Sequence, residues 1–508
     1  MRIIAIILCG LFIFPLISSA RSDGSMEVER AGTSVFSEVD AYIAGEMKRQ
    51  RLPGLALGIV QGDHILYLKG YGQADSSGSP VTPETPFGLG SIGKSITAIA
   101  VLQLVEAGKI DLDAPIQRYF STQYKGAEFI TVRQLLNQTS GFTQISTFSN
   151  TLASVNDQYQ NPIEKNALSY AEKFLKGTKQ TEHPFTYSNA NYVLLGYIVQ
   201  RVSGQSYGDY VEEHIFSPLS MYDSYVTLDE AAAHGLATPY RRIFGYNVAY
   251  DGPFVYIAGD APAGYMYTSA KDMSHYLIAQ MNGGRFEDDS VLTSESIRLM
   301  QTEPVSGTYA MVWSSDYING LRVIGSPGGS LGFQAQTFMV PEQQLGVIVF
   351  SNVLDAIDAK WPETHVITTT RIASGVINLL NKQPVGGSGL SISQKYLLVN
   401  GLIFILSLLL LYSTVRTAKR CLGPWSPDNS GHTEISIKVI SRIVLHFAGL
   451  FIFLLLSMTE VVPIWHMATI FQPDVILWLK IMTVLMALKG SMEIIRLVRS
   501  IWHEKHQS

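Results

Sequence analysis

Between Gly88 and Ser95 the chain reads GLGSIGKS. These residues fit G-x-x-x-x-G-K-S, a loop whose backbone amides cradle phosphate. They also contain Ser91-Ile92-Gly93-Lys94, a serine and a lysine three apart and so on one face of a helix. The segment that follows, SITAIAVLQLVEAGKIDL, is apolar on nearly all sides through Ile96, Ile99, Val101, Leu102 and Val105, as a buried central helix is. Ser91 then stands in its first turn, in the positive field of the helix end. A desolvated lysine gives up its proton readily, and a serine beside one becomes an activated nucleophile. A phosphate loop needs a buried apolar strand in front of it. Here the preceding PVTPETPF carries three prolines, which argues against a central strand and against the phosphate reading.

Further along, FTYSNANYVLLGYIVQ brings Tyr187, Ser188 and Asn189. Later still, GSPGGSLGF precedes an alternating strand pair, QAQTFMVPEQQLGVIVFSNV. In this order (S-x-x-K, then Y-x-N, then a glycine-containing strand) the chain resembles the serine β-lactamase and penicillin-binding-protein family, in its class C and DD-peptidase/esterase branch. Supporting stretches are similar too: LPGLALGIVQGDHILYLKGYGQAD looks like the family's first hairpin, and ITVRQLLNQTSGF and APAGYMYTSAKDMSHYLIAQMNGG look like later segments. The resemblance runs from about Val39 to Asn381.

The resemblance implies an α/β fold: a mixed, largely antiparallel sheet flanked by helices, plus an all-helical subdomain, with the site between them. It makes Ser91 the nucleophile that forms an acyl-enzyme, Lys94 the group that takes or relays its proton, and Tyr187 the general base that later activates water. Tyrosine ionises near pH ~10 in water, so such a base needs cationic neighbours. Asn189 would bind the acyl side-chain amide. The third motif departs from the family pattern. Where relatives carry Lys-Thr-Gly or His-x-Gly, this chain has Ser326-Pro327-Gly328. Position 326 supplies no cation, which implies weaker recognition of free-carboxylate substrates, β-lactams and D-Ala-D-Ala ends included. Ser326, Gly328 and Gly329 would line the substrate strand, with the backbone amides of Ser91 and Gly329 as the oxyanion donors. Gln138 stands where a histidine is often found and reads as structural. Trp313 fits either the cleft or the core. The scattered His64, His183, His214 and His234 show no metal-ligand spacing, so neither a metal nor a cofactor is expected.

The positioning elements sit in a chain of 508 residues with net charge −5, which suggests no nucleic-acid partner. Charged residues make up 16%, against the usual ~25%, and the deficit lies in apolar blocks at the two ends. Residues 1–20, with Arg2, an apolar run and Ser18-Ser19-Ala20, read as a secretory signal peptide. Residues 21–382 form the exported body, which contains no cysteine, since the two cysteines are Cys9 and Cys421. Gln383 to about residue 395 reads as a flexible linker. The remainder, 396–508, reads as a membrane module with helices near 396–415, 443–460 and 475–495. Lys480 interrupts the last run and is expected to snorkel or to face a neighbouring helix. Arg416, Lys419, Arg420, Lys438 and Arg442 between the first two runs, and Arg496, Arg499 and Lys505 after the third, place those stretches in the cytoplasm and the body outside.

The expected protein is thus a multi-pass membrane protein of the cell membrane with an extracytoplasmic serine hydrolase body. Its expected substrates are D-amino-acid amides or esters of the cell envelope, in the manner of a DD-carboxypeptidase or esterase. The rival reading is a catalytically weak sensor that binds a ligand in the same pocket and signals through its helices. Oligomeric state is left open.

Overall fold

The structure, a computed structural model, describes residues 35–121, 123–143, 161–175, 183–250, 258–302, 309–355, 367–387, 389–422 and 472–507, with isolated residues elsewhere. The first 34 residues, and with them the expected signal peptide, lie outside the described residues, as does nearly all of the apolar run 443–458.

Seven strands make the main sheet: β1 (Gly54–Gln61), β2 (His64–Gly72), β7 (Tyr309–Ala310), β8 (Trp313–Ile318), β9 (Leu321–Ser330), β10 (Phe333–Val340) and β11 (Leu345–Ser351), in the order β2-β1-β11-β10-β9-β8-β7. Every pairing in this sheet is antiparallel. Two strands from the start of the body therefore add to five from its end, and the chain in between is free to build helices. Strand β1 is buried from Gly54 to Val60, which is why it reads as a continuous apolar run, not an alternating one. Strand β10 is buried throughout and divides its side chains by parity. Phe333, Ala335 and Met339 enter one core, and Phe338 and Val340 the other.

The second core lies under α1 (Val35–Gln50) and α6 (Thr368–Leu380). Helix α1 buries Val39, Ile43, Glu46 and Gln50, a stripe at four- and three-residue steps that faces the sheet. The larger core holds α2 (Gly93–Glu106), α3 (Pro162–Leu175), α4 (Asn189–Ser203) and α5 (Ala270–Met281). Short two-stranded pieces join the layers: β3 (Phe87–Gly88) with β6 (Tyr267–Thr268), and the hairpin of β4 (Tyr240–Ile243) and β5 (Tyr246–Ala249).

Two helices follow the body, α7 (Ile392–Leu422) and α8 (Pro473–Gln507), and both are long and apolar enough to cross a membrane. Helix α7 begins before the apolar run does. Ser391 supplies the reason: its hydroxyl accepts from the Gln394 amide at 3.3 Å while the Gln394 side chain accepts from the Ser391 amide at 2.8 Å, a reciprocal cap. Helix α8 starts at Pro473, whose fixed φ suits a first helical position. The two helices run parallel. Ser407 meets Trp478 at 2.9 Å, Ser413 meets Lys489 at 2.5 Å, and the Cys421 thiol meets the Met492 carbonyl at 3.1 Å, so both sequences advance together away from the body. Two such helices are described, not three, because the middle run falls outside the described residues. Lys480 is exposed on α8, whereas Lys489, which the apolar pattern had hidden, is the lysine turned toward α7.

Candidate active site

From Thr85 to Leu102 every residue is buried except Ser91. Ser91 is thus the one residue of this run that is partly open to solvent, and local geometry explains how it gets there. Ser91 occupies a one-turn 3-10 helix, Gly90–Ile92, that leads directly into α2. Gly90 holds a positive φ of 59°, and a Cβ built on it would lie 2.4 Å from the Gly329 amide nitrogen. Gly264, at φ 133°, closes from the other side; a Cβ there would lie 2.5 Å from the Gly90 carbonyl oxygen and 3.0 Å from the Ser91 nitrogen. Two glycines thus let three backbones converge on the nucleophile where any side chain would part them.

Lys94, one turn on and fully buried, points its Nζ at Ser91 Oγ at 3.2 Å and at the Ala263 carbonyl at 2.5 Å. The rings of Tyr187 and Tyr192 lie 4.9 Å and 5.9 Å from the same nitrogen, where their π faces favour a cation. Among the described residues no carboxylate pairs with it. The Ala263 carbonyl is itself fixed from below. Thr97 Oγ1 donates to the Pro262 carbonyl at 2.7 Å, and buried Asp260 accepts from Asn166 at 2.9 Å and from Tyr170 at 3.2 Å.

Tyr187 donates its hydroxyl to Ser91 Oγ at 2.8 Å. Ninety-six residues apart in sequence, the two groups are brought together by the packing of α2 against α4. Tyr187 sits just ahead of α4, and Asn189 opens that helix, half-buried beside it. The turn is gripped by Gln138. Its carbonyl accepts from the Thr186 amide at 2.8 Å, its side-chain oxygen accepts from the Ser188 amide at 2.9 Å, and it accepts again from Asn191. Gln138 adopts a positive φ of 60° to do so. Its structural role is therefore specific: it sets the turn that carries Tyr187. Nothing in the sequence pattern named Gly90, Gly264 or the Ala263 carbonyl for their parts, although the APAG stretch had drawn notice.

Strand β9 forms the opposite wall. A Cβ on Gly328 would lie 2.2 Å from the Leu89 carbonyl oxygen and 3.3 Å from Ile92, so this glycine is required by packing against the Ser91 turn. Gly329 faces the other way, and a Cβ there would have only Leu354 near it, at 3.7 Å. Ser326 is on the Gly328 face of the strand, buried, with Thr337 Oγ1 donating to its carbonyl at 3.2 Å. Trp313 is a core residue, 1% exposed and stacked on Tyr276 with ring centroids 6.5 Å apart. The arrangement offers a hydroxyl with two proton-handling neighbours and an adjacent strand amide, the parts needed to add an oxygen nucleophile to a carbonyl.

A family model described as Beta-lactamase matches residues 39–365. Protein flp of Staphylococcus aureus (strain MW2) is 26% identical over 362 residues, covering 68% of this chain and 69% of the relative. Unguisins hydrolase ungD' of Aspergillus campestris is 22% identical, over 64% of this chain and 63% of its own length. Among solved structures, the octameric penicillin-binding protein homologue from Pyrococcus abyssi superposes with a TM-score of 0.57 at 26% identity, covering 68% of this chain and 78% of that one. The D-amino acid amidase from Ochrobactrum anthropi SV3 superposes with a TM-score of 0.58 at 22% identity, covering 69% and 99%, a likeness of fold.

Proposed function

The chain belongs to the beta-lactamase family, and from that premise we propose that it is a membrane-anchored serine hydrolase acting on D-amino-acid amides or esters of the cell envelope. One observation carries the reading: Ser91 Oγ is in hydrogen-bond contact with both Lys94 Nζ, at 3.2 Å, and Tyr187 OH, at 2.8 Å. In this mechanism Ser91 Oγ attacks the substrate carbonyl carbon as its proton passes to the Lys94–Tyr187 pair. The amides of Ser91 and Gly329 receive the developing oxyanion. The leaving amine or alcohol takes a proton back from the pair, and an acyl-enzyme remains. Water, giving a proton to the Lys94–Tyr187 pair, then attacks the acyl carbon, and the pair returns that proton to Ser91 Oγ as the acyl bond to it breaks. The amidase among the structural neighbours is in keeping with amide substrates. Ser326, which brings no cation to the strand, favours neutral acyl groups over free carboxylates.

Membrane anchoring is part of the proposal. Helices α7 and α8 start at the same end of the body and run parallel, so a chain that crosses with both must return between them. The run from Ile443 to Met458 is the apolar stretch suited to that return. The lysines and arginines flanking the runs put the body outside the membrane.

The test is hydrolysis of an activated acyl ester by the full chain in detergent micelles, beside Ser91→Ala. Turnover is expected to fall to background in the variant. A folded wild type with no more turnover than the variant would instead favour the reading of a ligand-binding sensor.

A further inference from the structure

The hydrolase site and the starts of the two long helices share one end of the body, and a short, buried path connects them. The Ser91 turn lies against the Gly328–Gly329 strand. Beyond Gly329, on its other face, is Leu354. The next residue, Asp355, is fully buried; it accepts from Arg242 at 3.1 Å and from the Gln472 side chain at 2.9 Å. Gln472 immediately precedes Pro473, the first residue of α8. A second path runs through the β4–β5 hairpin. Gly332, at the turn after β9, packs on Pro239 just before β4. At the hairpin tip the Phe244 amide donates to Asp474 at 2.6 Å, the Phe244 carbonyl accepts from Asn400 at 3.1 Å, and Gly245 lies on the Tyr396 ring. The start of α7 is set into the body on one face, where Ile392, Lys395 and Tyr396 are buried, while on its exposed face Ser393 and Gln394 give way to Leu397 and Leu398, 72% and 57% exposed. The change from polar to apolar side chains along that exposed face marks the level at which lipid begins. Tyr246, beside the hairpin tip, is 71% exposed at that same level, where a tyrosine suits the interface between hydrocarbon and water.

We infer that the cleft opens at the bilayer surface and that its substrate is an acyl ester or amide borne on a membrane lipid or lipid-anchored polymer, presented close to the headgroups. The inference rests on the hydrolase reading and on α7 and α8 as membrane spans. A site joined to the first residue of a span through Leu354, Asp355 and Gln472 has no need of a substrate that reaches far into water. Free and lipid-borne esters share the same reacting group, so only its height above the bilayer separates them.

The experiment uses the full chain in phosphatidylethanolamine–phosphatidylglycerol vesicles, with Ser91→Ala vesicles as background. Three D-alanyl esters are compared: one on water-soluble glycerol, one directly on the headgroup glycerol of phosphatidylglycerol, and one on the same lipid through a long ethylene-glycol spacer. The expected result is that the direct ester is turned over at least as fast as the spaced one, and about tenfold or more faster than the soluble ester at equal bulk concentration, as confinement to one surface raises its effective concentration. Turnover of the spaced and soluble esters with none of the direct ester would overturn the inference and leave the hydrolase intact. Absence of turnover with all three, in folded protein, would remove the hydrolase reading and this inference together.

Discussion

Ser326 stands where the family resemblance implies a lysine or a histidine. Its side of β9 is the side that Gly328 turns to the Ser91 turn, so a cation placed there would address the cleft. Ser326→Lys is accordingly expected to raise kcat/KM for an acyl substrate bearing a free carboxylate by about tenfold relative to its neutral analogue, the worth of one charge-assisted hydrogen bond. Steady-state kinetics on the substrate pair measures it; an unchanged ratio would mean that position 326 does not set charge preference. A second residue makes a stability prediction. Asp272, buried at the start of α5, has its carboxyl pushed up to about 6 by burial, against the hydrogen bonds it accepts from Ser224 and the Asp223 amide at 2.7 Å each. A raised carboxyl pKa favours the folded state while the group is protonated, and that contribution is lost as pH rises through about 6. The stability of Asp272→Asn minus that of wild type is therefore expected to be about 1 kcal/mol more positive at pH 8 than at pH 5, by denaturant unfolding at the two values. A difference that does not change with pH would refute the assignment.

At the scale of elements, the site depends on where three backbones touch. Gly90, Gly264 and Gly328 all stand where a Cβ would meet backbone atoms at 2.5 Å or less. Gly90→Ala combines that clash with a positive φ, and it is expected to abolish turnover and to cost about 1–3 kcal/mol of stability. Gly329→Ala should fold normally, since its Cβ would find only Leu354 at 3.7 Å. Thermal melts of the two variants side by side separate them. Equal destabilisation would show that the Ser91 turn is not held by this close approach. The adjacent elements act as clamps in the same sense: Gln138 fixes the Tyr187 turn ahead of α4, and Asp260 fixes the segment whose Ala263 carbonyl receives Lys94.

For the whole molecule, the joint between body and helices is the feature with consequences. Arg242 and Asp355 are 1% and 0% exposed, and Arg242 also donates to the Gln50 carbonyl. Removing one partner strands the other without solvent. Asp355→Ala is expected to lower stability by about 3–5 kcal/mol, whereas the double variant Arg242→Met, Asp355→Leu should recover most of it. Chemical denaturation of the full chain in micelles measures both. Failure of the double variant to recover would mean that Gln472, deprived of its acceptor, contributes more than the ion pair does.

The sequence alone pointed to the S-x-x-K pair on one helix face, to the strand pair near the end of the body and to three apolar runs, of which two are described as long helices, because each rests on local spacing and periodicity. Ser91 and Lys94 share a helix face by being three apart, and QAQTFMVPEQQLGVIVFSNV reads as the pair β10 and β11, although both strands prove buried throughout and not alternating. Only the tertiary structure decided that Tyr187 reaches Ser91, since the packing of α2 on α4 is not written in either helix alone. It also decided that Gly90 and Gly264 bring three backbones together, because a glycine's reason lies in what approaches it. The same holds for the end of the body from which the helices depart. That depends on Asp355 meeting Arg242 and Gln472, contacts between residues more than a hundred positions apart, which no local pattern encodes.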